Sequence, residues 1–186
     1  MESLITVPSI YSTSNTNADL ILFIGYKNDP GINYNAYASA CLQWGDKRPV
    51  AGYIIYNSAT LDYKAQALEF NVNISTHEIL HILGVNLQLF PHFKKTNAGL
   101  DFWEQDSDGK HFLQGDIFVE KAKEHFGCET LAKYPMENEG TEGNIGNHLE
   151  SRIFGNELMT ASAKIGFRFS KMSLAILQDS GWYFKF

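Results

Sequence analysis

The segment Thr76-His77-Glu78-Ile79-Leu80-His81-Ile82-Leu83-Gly84 closes a run from Leu61 to Leu83 in which apolar residues recur at three- and four-residue intervals. That periodicity predicts helix, as one long element or as two, because Asn71, Asn73, Ser75 and Thr76 weaken its middle. Ser75 or Thr76 is then a candidate N-cap for the final turns, and Gly84 a natural stop that allows a sharp turn. His77 and His81 stand four apart, so both imidazoles project from one helix face. At that spacing two ring nitrogens can reach one Zn²⁺ at about 2.0–2.1 Å each. Glu78 points into the neighbouring space, where it can deprotonate a metal-bound water instead of occupying the metal. The same five-residue pattern also arises in helices whose histidines are ordinary surface or hydrogen-bonded core groups.

A catalytic zinc needs a third protein ligand and an open position for water. The candidates are His92, His111, His125 and His148, with Glu104 if a glutamate completes the set. A short metzincin spacing would put histidine at position 87, which is Leu87. Around Glu104, the residues Asp106, Asp108 and Gly109 read as loop and not as the second helix that a glutamate-ligated zincin needs. His148 has the most telling context: it follows the flexible Gly140-to-Asn147 stretch and precedes Met159 by eleven residues. Metzincins place a methionine beneath the zinc, and a thioether suits such an apolar floor because it fits irregular gaps. On spacing alone, a methionine such as Met159 is more often simply a core residue.

Outside this region, three strand candidates precede the helix: Asp19 to Tyr26, Tyr37 to Trp44 and Pro49 to Tyr56. Turn signals at Asn28-Asp29-Pro30-Gly31 and Gly45-Asp46 separate them. The polar stretch from Ser12 to Asn17 reads as a loop leading into the first strand, and Asn97 to Gly115 and Glu137 to Asn147 read as further loops. Asp116 to Phe126 predicts an amphipathic helix ending at Gly127, and Ser170 to Ser180 a final helix ending at Gly181. The 186 residues suit one domain, and 44% hydrophobic composition supports a core. A net charge of −6 with no Lys/Arg stripe argues against nucleic acid as a partner. No apolar run spans a bilayer, and no signal-peptide pattern appears. Cys41 and Cys128 are compatible with one disulfide, two buried thiols, or two half-bridges whose partners are lost.

Several motifs in order give the chain a family resemblance. They are Arg48-Pro-Val-Ala-Gly-Tyr-Ile-Ile55, Thr76 to Gly84, Leu89-Phe-Pro-His-Phe93, Glu124-His-Phe-Gly-Cys128, Gly140-Thr-Glu-Gly-Asn144, His148-Leu-Glu-Ser-Arg152, Glu157-Leu-Met159 and Ser173 to Tyr183. Over most of its length the chain resembles the leishmanolysin family of metzincin peptidases. The resemblance implies an α+β zincin with a mixed twisted sheet and the active-site helix in an N-terminal lobe, about 1–84. A loop-rich C-terminal lobe with a few helices, about 85–186, would follow, with the active-site cleft between them. It implies one catalytic Zn²⁺ held by His77, His81 and His148, with Glu78 as general base and with Met159 and Gly84 as structural residues under the metal. The intervening insertion would explain Leu87, leaving His92, His111 and His125 as surface or packing residues and Glu104 as a solvated acid. Substrates would be proteins or peptides, in an extracellular or cell-surface setting, with membrane association only through segments absent from this chain. The resemblance also marks Cys41 as a half-cystine whose usual partner is replaced near Asn57. Val50 to Ile55 is expected as an edge on which an extended peptide pairs. The sequon Asn73-Ile74-Ser75 falls in the helix and reads as a chance match. The rival reading is a catalytically silent surface or adhesion module that keeps the fold.

Overall fold

The segment Pro49–Asn57 (β3) is apolar along nearly its whole length and largely buried on both faces, as a central strand must be. In the computed structural model, which describes residues 17–141, 143–162 and 166–183, it pairs in parallel with Ile21–Lys27 (β1), from Ile21 opposite Ala51 to Lys27 opposite Asn57. On its other side it pairs antiparallel with Ala36–Gln43 (β2). All three expected strands form within one or two residues of their expected ends, whereas the polar stretch through Ser12–Thr16 lies outside the described residues. The resulting mixed sheet has the order β1-β3-β2. Because β3 is engaged along both sides, Val50 to Ile55 is not an edge for an extended peptide, and that expectation is corrected.

Cys41 is the extra residue of a β-bulge, since Ala40 faces Gly52 and Leu42 already faces Ala51. It is exposed, and neither it nor Cys128 is in a disulfide. Asn57 lies at the other end of the strand pair, about 18 Å away at roughly 3.3 Å per residue, far beyond disulfide reach. Asn57 therefore does not stand in for a partner of Cys41. Its fully buried amide instead accepts from Asp29 N and Ala59 N at 3.0 and 3.1 Å, and donates to the carbonyls of Asp29 and Tyr34.

After a 3₁₀ turn at Ala65–Ala67, one continuous helix runs Leu68–Leu83 (α1). Ser75 and Thr76 are internal to it and do not cap it. Their hydroxyls donate to the carbonyls of Asn71 and Val72, each at 2.9 Å, which satisfies them inside the helix. Tyr56 and Ser75 share a hydrogen bond of 2.7 Å, tying α1 to β3. A side chain at Gly52 would drive a Cβ to within 2.8 Å of Ile82 Cγ1, so the missing side chain sets how closely the helix approaches the strand.

The chain divides between Ile82 and Leu83 into two compact units. In the second, Asn97 to Gly115 is not all loop. Trp103–Gln105 (β4), His111–Leu113 (β5) and Tyr134–Pro135 (β6) make an antiparallel sheet in that order. Strands of two or three residues are too short to leave a period-two signal. The turn between β4 and β5 is built on Asp106, whose carboxylate accepts from Asp108 N and Lys110 N at 2.9 Å each. The amphipathic helix spans Asp116–Phe126 (α2) and stops at left-handed Gly127 as expected. A short helix, Ser151–Phe154 (α3), precedes Lys171–Asp179 (α4), which Ser170 caps. Asp179 of α4 accepts from Ile117 N at 3.0 Å and Phe118 N at 2.8 Å, covering two orphan donors at the start of α2. Phe118, Phe126, Tyr134 and Phe154 pack as one aromatic cluster.

Gly52→Ala is expected to lower stability by about 1–3 kcal/mol through forced displacement of buried Ile82, read as a shifted urea midpoint. Burial pushes the Asp179 carboxyl up to about 6 despite its two backbone donors. The folded state thus holds this proton more tightly than the unfolded chain, and the associated stability is present below about pH 4 and lost as pH rises through about 6. Asp179→Asn should flatten the fall in urea midpoint between those values, and parallel curves for the two proteins would refute this.

Candidate metal centre

Continuity of α1 through residues 77 to 81 decides the first half of the site. The Nε2 atoms of His77 and His81 lie 2.9 Å apart, with ring centroids at 4.5 Å and planes near perpendicular. Two nitrogens bound to one tetrahedral ion at about 2.0–2.1 Å would stand roughly 3.3 Å apart, so the pair already has nearly chelating geometry. His81 and Glu78 are buried. Burial pushes the Glu78 carboxyl up to about 8, because desolvation disfavours its charged form.

Gly84 follows α1 but is not among the glycines with positive φ. The expectation of a special turn is corrected: its role is space. A Cβ there would stand 3.2 Å from Leu177 Cδ2 and 3.3 Å from Phe93 Cζ, tighter than ordinary packing.

In the second unit, His148 and Met159 are held near each other by backbone. Leu149, one residue after His148, donates to the Met159 carbonyl at 2.8 Å and bridges both Met136 and Thr160. Glu137 N donates to the His148 carbonyl at 2.8 Å. The Met159 side chain is fully buried, and the turn before it is pinned by Thr160 Oγ1 on the Glu157 carbonyl and by Ser173 Oγ on the Glu157 carboxylate. The His148 Nδ1 lies 3.2 Å from the Asn144 carbonyl oxygen. Asn147 reaches back to the chain after α1, its Oδ1 accepting from Leu87 N at 2.9 Å.

His77, His81 and His148 each offer a ring nitrogen, all within 4.8 Å of one another, and could hold a metal ion. Three imidazoles are a donor set suited to zinc and its first-row neighbours. Among the described residues, none of His92, His111, His125 or Glu104 belongs to this group. His92 and His125 are exposed, and His125 rests edge-on against Phe126. His111 is buried, stacked on Trp103, with Nδ1 accepting from the indole N–H at 3.1 Å. Burial holds its pKa below the usual imidazole range. Glu104 is not simply solvated: it stands on β4 and pairs with Lys133 at 2.6 Å. Asn147 and Gly146 were not legible as site residues, and their adjacency to His148 is the one signal in the sequence that points to them.

A family model described as leishmanolysin, peptidase M8, matches residues 2–185. Among curated relatives, the leishmanolysin-like peptidase of Caenorhabditis briggsae is 28% identical over 206 residues, covering 89% of this chain and 31% of the relative. Leishmanolysin of Leishmania chagasi is 28% identical over 179 residues, covering 95% of this chain and 29% of the relative. The leishmanolysin-like peptidase of Drosophila melanogaster is 27% identical over 208 residues, covering 90% and 30%. The chain thus spans about 30% of the length of these relatives.

Because Glu104 pairs with Lys133 and lies outside the histidine cluster, Glu104→Ala should leave the metal content per mole of protein unchanged, measured by atomic emission. Its cost in stability should not exceed about 1 kcal/mol, as for an exposed ion pair.

Proposed function

The chain belongs to the leishmanolysin family, and from that premise we propose that it is the catalytic domain of a zinc-dependent endopeptidase that hydrolyses peptide bonds of proteins. The observation that carries the reading is the convergence of three imidazole nitrogens within 4.8 Å, two of them from a helix that also carries a buried glutamate. In it His77, His81 and His148 are the ligands of one ion. A zinc ion bound there would supply a Lewis acid that polarises a peptide carbonyl and lowers the pKa of water toward about 7.

The protein's own groups do the rest. His77, His81 and His148 would hold the ion as neutral imidazoles, each through one nitrogen, with the other ring nitrogen left to a hydrogen-bond partner. Glu78 is the general base. Its carboxylate takes the proton from the attacking water and gives it to the departing amine nitrogen. Its buried position raises its basicity toward the working pH, and a nearby dication would favour the ionised form needed to accept that proton. Met159 supplies a desolvated, polarisable floor, and Gly84 lets Leu177 and Phe93 close behind the helix end. An extracellular or cell-surface setting belongs to the same proposal. Among the described residues no helix is long and apolar enough to cross a membrane.

Casein cleavage and zinc content, measured together on the wild type, Glu78→Gln and His148→Ala, test this. Glu78→Gln should keep its zinc and lose about 10²–10⁴-fold in rate. His148→Ala should lose both zinc affinity and activity. Undiminished cleavage by Glu78→Gln would sink the mechanism, and a zinc-replete wild type that cleaves no protein would favour the silent surface module.

A further inference from the structure

The loop that ends in His148 is closed on itself and anchored to the chain that follows α1. Gly146 N donates to the Glu137 carbonyl and Glu137 N to the His148 carbonyl, each at 2.8 Å, so two backbone bonds close the loop at its base. Within it, Asn144 N donates to Thr141 O at 2.9 Å. Asn147 then acts as a three-way clip. Its Oδ1 accepts from Leu87 N at 2.9 Å, and its Nδ2 donates to the carbonyls of Ile145 at 3.3 Å and Gly143 at 3.4 Å. Gly146 makes the close seat feasible. Its φ is +70°, and a Cβ there would stand 3.1 Å from Leu87 Cδ2 and 3.2 Å from the His111 ring. Leu87 occupies the position where a short ligand spacing would have put the third histidine, and it serves instead as the anchor for the residue beside His148.

The hydrogen bond at His148 gives this anchoring a chemical consequence. A carbonyl oxygen carries no proton, so at 3.2 Å from the Asn144 oxygen the His148 Nδ1 is the donor. That assigns the proton to Nδ1 and leaves the Nε2 lone pair as the ligand. Hydrogen bonds of this kind fix both the tautomer and the ring plane of a metal-binding histidine. The ring can hold that geometry only while residues 144 to 147 keep their shape.

We propose that Asn147 is a positioning residue for metal binding. By clipping the 143–147 turn to Leu87, it holds the Asn144 carbonyl against Nδ1 of His148 and so presents Nε2 to the ion. This rests on the zinc reading above. Asn147 touches neither metal nor substrate, and its effect passes entirely through His148.

The test compares zinc affinity, by competition with a chromophoric chelator, in the wild type, Asn147→Ala, Asn147→Asp and His148→Ala. Asn147→Ala should bind zinc about 10–100-fold more weakly, the range for loss of an outer partner. Asn147→Asp keeps the acceptor for Leu87 N–H but sets a carboxylate oxygen against the Gly143 and Ile145 carbonyls, so its zinc affinity should fall between those of the wild type and Asn147→Ala. The cobalt-substituted Asn147→Ala protein should show an altered visible absorption band, which a loss of stability alone would not produce. A folded Asn147→Ala with wild-type zinc affinity, alongside a His148→Ala that has lost it, overturns the positioning role and leaves the metal site standing. A His148→Ala that binds zinc as tightly as the wild type overturns the zinc reading itself. Nitrogen-15 spectra of the zinc-loaded wild type decide the tautomer with no variant: a proton on Nδ1 of His148 is expected, and a proton on Nε2 overturns the proposal even if Asn147→Ala fails to fold.

Discussion

Two imidazoles four residues apart can serve one ion only if the helix between them is unbroken, and in this protein that condition is met against the local sequence. Ser75 and Thr76 would ordinarily compete for the backbone and end or start a helix. Here their hydroxyls are absorbed by the carbonyls one turn back, and Tyr56 of β3 engages the Ser75 hydroxyl from the sheet. The helix is held against β3 because Gly52 leaves room for Ile82, which is completely buried. The 2.9 Å approach of the two ring nitrogens is therefore a consequence of tertiary packing on a central strand as much as of helical period.

The second unit solves a different problem with different means. It has little regular structure to hold its functional loop, so it relies on buried and part-buried polar side chains aimed at backbone and at one buried hydroxyl. Asp179 caps α2, Glu157 takes the Ser173 hydroxyl, Asn138 accepts from His111 N, and Asn147 takes Leu87 N–H. Each bond contributes only about 0.5–1.5 kcal/mol net, yet leaving such a group unpaired costs about 1–3 kcal/mol. The asymmetry favours one loop geometry strongly over its alternatives. Asn57 applies the same device in the first unit, where its amide gathers the turn from Asp29 to Tyr34.

Two buried carboxyls illustrate how environment separates roles. Asp179 is raised to about 6 but stays supported by two backbone donors, a structural compromise. Glu78 is raised to about 8 with desolvation as its only cause. Burying an ionisable carboxyl is costly, since an isosteric amide or an apolar side chain would be easier to bury. Its position one residue from His77 is the one that the proposed general-base role requires.

By itself the sequence determined what short-range chemistry can specify. The three strands were legible from β-branched runs and their turns, α2 and α4 from their periodicity and from Gly127 and Gly181, and His77, Glu78 and His81 from a fixed helical spacing. The resemblance in ordered motifs added the family and named His148. Tertiary structure alone decided that β3 is central and not an edge, because strand order depends on pairing partners that no local pattern encodes. It alone revealed the short β4-β5-β6 sheet, which carries too few residues for a period to emerge. And it alone showed that Gly84 is demanded by packing and not by backbone conformation, and that Asn147 and Gly146 lie against Leu87. Contacts between residues sixty apart are made by loop closure, which spacing along the chain does not record.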